Sequence, residues 1–467
     1  MNTDKLKDFI YQKWDHEITP TLETFISIPN KSPAFDKNWK KNGYMQQAVE
    51  LIKDWCLQQN IKGMQLEVIC HDDRTPVILI DIPGQFDKTI LLYGHLDKQP
   101  EMTGWAPDLG PWKPVLKGDK LYGRGGADDG YAVFCALTAI KALQEQNLSH
   151  PRCVVLIEAS EESGSVDLPY YMDVLGAQIG TPELIICLDS GCGNYQQLWS
   201  TTSLRGLVNG DLTVELLTEG VHSGYGSGVY ASSFRVLREL LSRLEDQENG
   251  SILVNELNVT IPQERIEQAN LAADALGDDV YTCFPTHEGV EPVTENVTEL
   301  LLNRTWRPQL SITGADGLPL LEDAGNVLRP KTAVKISMRI PPTCDARKAS
   351  QAIKKVLESN PPYNAKVHFD IQQEANGWNA PKLADWLHQL SDDASMQFYG
   401  KPVGYIGEGG SIPFMAMLGD KFPDAQFLIT GVLGPNSNAH GPNEFLHIPM
   451  AKNLTCCVAY VIGSACK

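Results

Sequence analysis

Four short apolar runs set the pattern of the first part of the chain: PVILIDI (76–82), TILLYGHLD (89–97), CVVLIEASE (153–161) and ELIICLDS (183–190). They are β-branched and continuous rather than alternating, as in strands buried on both faces. Between the second and third lies ADDGYAVFCALTAIKALQEQ, whose spacing predicts a long helix from Ala127 onward. Strand, helix, strand predicts an α/β domain with a largely parallel sheet flanked by helices. Sheets of that kind bind ligands at the carboxyl ends of their strands. His95, Asp97, Glu161, Glu162 and Asp189 all stand there, where polar residues end the apolar runs.

After Arg205-Gly206 the texture changes. GDLTVELL (210–217) alternates like an exposed antiparallel strand, and SSFRVLRELLSRLE (232–245) has the apolar stripe of an amphipathic helix. Further on come AVKISMRI (333–340), a helix at DARKASQAIKKVLES with Asp345 as its N-cap, and AKVHFDI (365–371). Two strand–helix halves with half-buried alternation predict a small α+β unit. From Asn379 the α/β character resumes, with a helix at PKLADWLHQLSDDA, a strand at AQFLITGVLG and a final helix from Met450. The pattern therefore reads as one discontinuous catalytic domain, residues 1–206 and 377–467, with an inserted α+β lid at 207–376.

A length of 467 residues agrees with more than one domain. The hydrophobic share of 42% and charged share of 21% are those of a globular protein with a sizeable core. Acidic residues number 58 against 39 basic, a net charge of −19. That balance argues against nucleic acid and anionic membrane surfaces as partners, because both reward Lys/Arg clusters. The opening MNTDKLKDFIYQKW has early charges and no apolar core of a secretory signal, and no run of about 18 apolar residues predicts a membrane span. The cysteines are scattered and odd in number, 11. Cys135, Cys153 and Cys187 fall inside apolar runs, as small hydrophobes of a reducing compartment do. The expectation is a cytoplasmic protein.

The polar motifs are individually ambiguous. His95-x-Asp97 is a short pattern, and a lone strand-end histidine is more often structural. GRGGADDG (Gly123–Gly130) reads equally as a turn capping the helix. Glu161-Glu162 reads as a solvated strand end, and Asp189 as a cap. Together they are harder to dismiss. Asp128, Glu161, Glu162 and Asp189 gathered in one crevice would repel one another and raise some of their pKa values. A multivalent cation removes that cost, with His95 and His440 supplying imidazole nitrogens. Three carboxylates and two histidines suit two zinc ions, with manganese or cobalt as N/O-ligand alternatives.

At these residues the chain resembles the M20 metallopeptidases, most of all their carnosinase and cytosolic nonspecific dipeptidase branch. GHLDKQP, LYGRGGADDG, EASEESGS, LDSG, LRG, VHSG, EGGSIPF and NAHGPNEFL occur in the family's order, from about Gly94 to Phe445. The resemblance implies a catalytic α/β domain carrying a small lid. It makes His95 and Asp189 ligands of one metal, Glu162 and His440 ligands of the other, and Asp128 the bridge. It places Asp97 behind His95 to fix its tautomer. Glu161 becomes the general base that takes a proton from a metal-bridged water as the water attacks the carbonyl. His222 resembles an oxyanion-stabilising histidine that, in dimeric members, reaches the partner's active site. Arg339 matches a lid arginine for the substrate's free carboxylate, and Asn326 a further lid contact near the carbonyl. Gly409, Gly410 and Ser411 precede a predicted helix, so their N–H groups suit a carboxylate too.

The implied activity is hydrolysis of dipeptides or short peptides with a free C-terminal carboxylate, of dipeptidase or carboxypeptidase type, in a homodimer joined through the lid. An N-acyl or N-carbamoyl amino acid amidohydrolase stays open, since it uses the same metals and carboxylate grip. So does a metal-containing binding protein without turnover. Two departures bear on the substrate. The family often reads Asp-Asp-Lys-Gly where this chain has Asp128-Asp129-Gly130-Tyr131, and Arg before Glu-Gly-Gly-Ser where Gly407 stands.

Overall fold

The computed structural model describes residues 1–410 and 413–465. Its central sheet has six strands in the order Gln65–Ile69, Val77–Ile82, Pro151–Glu158, Phe86–His95, Leu184–Cys187, Gln426–Ile429. The last four are mutually parallel and the first two join antiparallel, so the sheet is largely parallel as its continuous apolar runs predict. Alternate residues serve two separate cores. Ile78, Ile80, Leu92, Val155 and Ile186 face the helices Tyr44–Gln58, Ala132–Glu145 and Ile448–Ser464. Val77, Leu79, Leu91, Val154 and Ile185 face the helices Leu168–Val174 and Pro413–Lys421. Each such Leu or Ile contributes roughly 1.5–3 kcal/mol relative to exposure.

Element ends differ from the pattern where chemistry intervenes. The third strand stops at Glu158, and Glu161–Ser163 forms a 3₁₀ turn rather than the strand's end. The long helix starts at Ala132 instead of Ala127, because Gly126–Gly130 makes a wider turn in which Asp128 has non-helical angles (φ −118°, ψ 89°). Both corrections put the acidic residues on turns above the sheet.

A second sheet is antiparallel, in the order Gln309–Asp316, Lys331–Ile340, Gly206–Glu215, Lys366–Ala375. The amphipathic helices Ser233–Leu241 and Ala346–Glu358 cover it, and Val236, Leu240, Ile336, Met338, Ile353 and Phe369 form its own core. Asp345 caps the second helix, accepting from Lys348 N at 2.9 Å. One segment of the expected insertion packs elsewhere. Helices Gln263–Leu276 and Val297–Thr305 lie against the strand Gly404–Glu408, and Ala269, Ala272, Leu301, Leu302 and Trp306 join the core of the first part. The apolar pattern of those helices shows that they have a buried face, not which sheet covers it. Among the described residues no helix is long and apolar enough to cross a membrane.

Candidate metal centre

The strand Phe86–His95 delivers His95, 1% exposed, to the carboxyl edge of the sheet. Its Nε2 lies 3.3 Å from Asp128 Oδ1 and 3.8 Å from Asp189 Oδ2. The other oxygen of Asp128 is 3.0 Å from His440 Nε2, which in turn is 3.3 Å from Glu162 Oε2. Asp128 thus stands between two imidazoles, each with a further carboxylate beyond it. Two groups have ligating atoms all within 4.8 Å of one another: His95, Glu161 and Asp189, and His95, Asp128 and Glu162. Both glutamates reach the cluster, with Glu162 on the His440 side and Glu161 on the Asp189 side.

The surroundings hold these groups in place. Asp97, fully buried, accepts from Glu161 N and Glu162 N, each at 3.1 Å, and so pins the turn that carries both glutamates. Its Oδ1 is 3.4 Å from His95 Nδ1, while the closest contact of that nitrogen is the Asp97 carbonyl at 3.1 Å. One residue therefore orients the histidine and the adjacent glutamates together, a wider role than the tautomer alone. Asp129 Oδ2 accepts from His95 N at 3.2 Å. Arg124 and Glu444, both buried, form an ion pair; Arg124 also donates to Gly441 O and Glu444 accepts from Gly125 N. That pair clasps the loop leading to Asp128 onto the loop carrying His440.

Electrostatics show a cluster in want of positive charge. Burial, with Asp189 as the next cause, raises the Glu161 carboxyl well above its ordinary range. Burial and then Asp128 do the same to Glu162. Asp189 is pushed up to about 6, mainly by burial and against the pull of His95. For Asp128, burial is outweighed by its hydrogen bonds to His440 and His95, which hold it below the usual range. His95 shows the mirror image: burial opposes its charged form, but Asp189 and the hydrogen bonds to Asp128 and Asp97 leave it well raised. Glu162 Oε1 is buried and has no hydrogen-bond partner among the described residues. An orphaned carboxylate oxygen among mutually repelling carboxylates, with imidazoles on two sides, fits divalent metal ions.

Several contributors escape sequence reading. Glu158 ends its strand fully buried, held by Tyr93, Ser160 and Ser165, and burial pushes it up to about 7. Its place at an apolar run's end was the available signal. For Arg124 and Glu444, 320 residues apart, the sequence offers none.

The remaining expected residues stand apart from the cluster. His222 and Asn326 are exposed neighbours: His222 pairs with Val327 across two short strands, and Ser223 N donates to Asn326 O at 2.9 Å. Gly224 N donates to His222 Nδ1 at 3.0 Å. Arg339 is half-buried on the strand Lys331–Ile340, beside Leu207. Among the described residues no hydrogen bond or ion pair joins His222, Asn326 or Arg339 to the carboxylate cluster. Gly409 accepts through its carbonyl from Arg205 Nε at 3.2 Å, Gly410 is exposed, and Ser411 lies outside the described residues.

Both departures have local causes. A Cβ at Gly130 would come within 2.3 Å of the Phe25 ring and 2.5 Å of Gly125 O. One at Gly407 would come within 2.5 Å of Ser203 Oγ and 2.8 Å of Thr305 Cβ. Neither place has room for a side chain.

Residues 91–464 match peptidase family M20/M25/M40. The cysteinylglycine-S-conjugate dipeptidase of Corynebacterium striatum is 27% identical, over 84% of this chain and 86% of that protein. The Cys-Gly metallodipeptidase of Schizosaccharomyces pombe is 25% identical, over 96% and 95%. Among solved structures, the dipeptidase Dug1p of Saccharomyces cerevisiae superposes with a TM-score of 0.76 at 22% identity, covering 99% of this chain and 98% of that one. Human carnosine dipeptidase 1 gives 0.74 at 20%, covering 99% of each chain, so the fold is shared. A family match across most of the chain, on a fold that gathers these carboxylates and histidines, makes this protein a metallopeptidase of family M20/M25/M40.

Proposed function

We propose that the chain is a two-metal dipeptidase acting on dipeptides or short peptides with a free C-terminal carboxylate. The observation that carries this reading is Asp128, flanked by His95 and His440 with the orphaned Glu162 oxygen beyond. His95, Asp128 and Asp189 would hold one ion, and Asp128, Glu162 and His440 the other. Zinc is the first choice for this N/O set, with manganese and cobalt also suited. When bound, the ions supply Lewis acidity toward the carbonyl and acidify water. Relatives named as Cys-Gly and β-Ala-His dipeptidases support a dipeptide substrate.

The chain's own residues divide the rest of the work. Glu161, beside a ligand and held by the same Asp97 clamp, takes the proton from attacking water and returns it to the leaving amine. Bound cations would lower its raised pKa, favouring a carboxylate that can take up the proton. Arg339, half-buried and without an ion pair among the described residues, would grip the substrate carboxylate, together with the N–H groups of Gly409 and Gly410. His222 and Asn326 complete the site from outside. Tyr225 (88% exposed), Val229 (73%) and Leu321 (97%), a few residues from them along the chain, hold large apolar side chains in solvent, which supports a homodimer through the lid in which His222 serves the partner's site.

The substrate reading is tested by comparing free-acid dipeptides, their C-terminal amides, N-acetyl amino acids and N-carbamoyl amino acids on zinc-loaded protein. Preferential hydrolysis of free-acid dipeptides is expected. Faster turnover of the acyl or carbamoyl amino acids would reassign the chain to the amidohydrolases, and no turnover of any would leave a binding protein.

A further inference from the structure

The motif GHLDKQP continues beyond His95 and Asp97, and the proposed chemistry uses neither Lys98 nor Gln99. Past the end of the strand Phe86–His95 the chain runs beside residues 30–32. Asn30 Nδ2 donates to Leu96 O at 2.7 Å, Ser32 N donates to Lys98 O at 2.9 Å, and Lys31 bridges to Lys98 in parallel. From His95 to Gln99 the side chains alternate as in a strand. Leu96 and Lys98 turn into the interior. Both are fully buried, and the Lys98 ammonium donates to Phe25 O at 2.7 Å and Ile28 O at 2.8 Å, where the helix Thr19–Ile26 ends. His95, Asp97 and Gln99 take the other side, toward the carboxylates. Asp97 holds the N–H groups of Glu161 and Glu162, and Gln99 Nε2 donates to Glu162 Oε2 at 2.5 Å.

A carboxylate only accepts, so the amide must turn its NH₂ toward Glu162. The two oxygens of Glu162 are then unequal. Oε2 faces Gln99 and lies 3.3 Å from His440 Nε2, while Oε1 has no hydrogen-bond partner among the described residues. The residue type at position 99 decides what this contact can do. A lysine or arginine there would neutralise Glu162 and compete with a cation for it. An apolar side chain would leave the carboxylate free to turn about its last torsion, with both oxygens short of donors. An amide fixes the plane of the carboxylate and leaves its negative charge for a metal ion.

The donor is itself held. The backbone before Gln99 is tied to residues 30–32, and the same N-terminal segment reaches the glutamate turn, where Ala34 N donates to Ser163 Oγ at 2.8 Å. Gln99 and the turn that carries Glu162 therefore rest on one wall, which sets their separation before any ion arrives.

We propose that Gln99 is a positioning residue of the metal centre, its amide fixing the Glu162 carboxylate, without neutralising it, in the orientation that binds the ion on the His440 side. The assignment rests on the two-metal reading for the ligand role of Glu162, and it is independent of which substrate is cleaved.

The test reads zinc binding without turnover, by titrating chelator-treated full-length protein against a chromophoric competitor. Gln99→Met keeps the length of the side chain and removes the donor. It should weaken one of the two ions by about 10–100-fold, the usual cost of losing a hydrogen bond to a metal ligand, and leave the other near its native affinity. In a Glu162→Ala background, where the His440-side ion is already weak, Gln99→Met should change nothing in the remaining ion. With cobalt as the probe, the visible bands of the weakened ion should shift in Gln99→Met. Native affinity for both ions in Gln99→Met would overturn the proposal, because the amide would then be a placeholder that the metal displaces. So would equal weakening of both ions, or a loss that persists in the Glu162→Ala background, since either would make Gln99 a support of the fold alone. A native protein that takes up one ion, weakened by Gln99→Met only while Glu162 is present, would support the positioning and contradict the two-metal reading.

Discussion

At the scale of single residues, the two adjacent glutamates carry different burdens although Asp97 holds both by the same pair of hydrogen bonds. Glu162 has the orphaned oxygen and the His440 neighbour of a ligand. Glu161→Gln is isosteric and should leave metal content near that of the native protein while lowering kcat by about 10²–10⁴-fold. Elemental analysis beside steady-state kinetics separates the cases, and loss of metal with activity retained would exchange the two roles. The raised carboxyls also set a pH dependence. A carboxyl whose folded pKa lies above its unfolded value binds protons more tightly when folded, so the stability it lends is full at low pH and fades as pH rises through the folded value. For Asp189 that window runs from its ordinary range up to about 6. Metal entry must displace those protons. Zinc binding at pH 6 should therefore release protons, seen as a buffer-dependent calorimetric enthalpy, and should stabilise the protein more as pH rises toward 7.5. A buffer-independent enthalpy at pH 6 would show the site already ionised.

At the scale of elements, the site is assembled from turns just beyond strand ends, and two of these turns are locked by the Arg124–Glu444 pair. Removing one member of a buried pair strands the other; Arg124→Ala should cost about 3–5 kcal/mol of stability. Because Glu444 lies in the His440 loop, zinc at the His440 side should weaken more than at the His95–Asp189 side, a split that two-site metal titration can read. Uniform loss at both sites would mean general destabilisation alone. The strands and their polar ends are legible in sequence because burial on both faces writes itself as continuous apolar runs, and His95 and Asp189 follow from those ends. The turns are less so: Glu161-Glu162 looks like a strand end, yet Asp97 folds it into a 3₁₀ turn. A clasp between residues 320 positions apart leaves no periodicity to read. Nor does an amphipathic pattern tell which sheet a helix such as Gln263–Leu276 covers.

At the scale of the whole molecule, the cluster sits on one sheet while His222, Asn326 and Arg339 belong to the antiparallel unit or its edge. The proposed chemistry then needs closure, a second subunit, or both. His222→Ala should lower kcat by about 10²–10³-fold, as loss of one oxyanion donor does. Mixing inactive His222→Ala with inactive Glu161→Ala chains should restore activity after subunit exchange if the histidine crosses a dimer; no recovery would assign it to its own chain. The central claim is that Asp128 joins two metal ions in one hydrolytic centre. Its most direct test is hydrolysis of a free-acid dipeptide as zinc is returned stepwise to chelator-treated protein, with bound metal measured at each step. Activity should rise with zinc and level off at two bound ions per chain, and Asp128→Ala should bind fewer and stay inactive. A plateau at one ion per chain, or full turnover in the Asp128→Ala protein, would contradict the account.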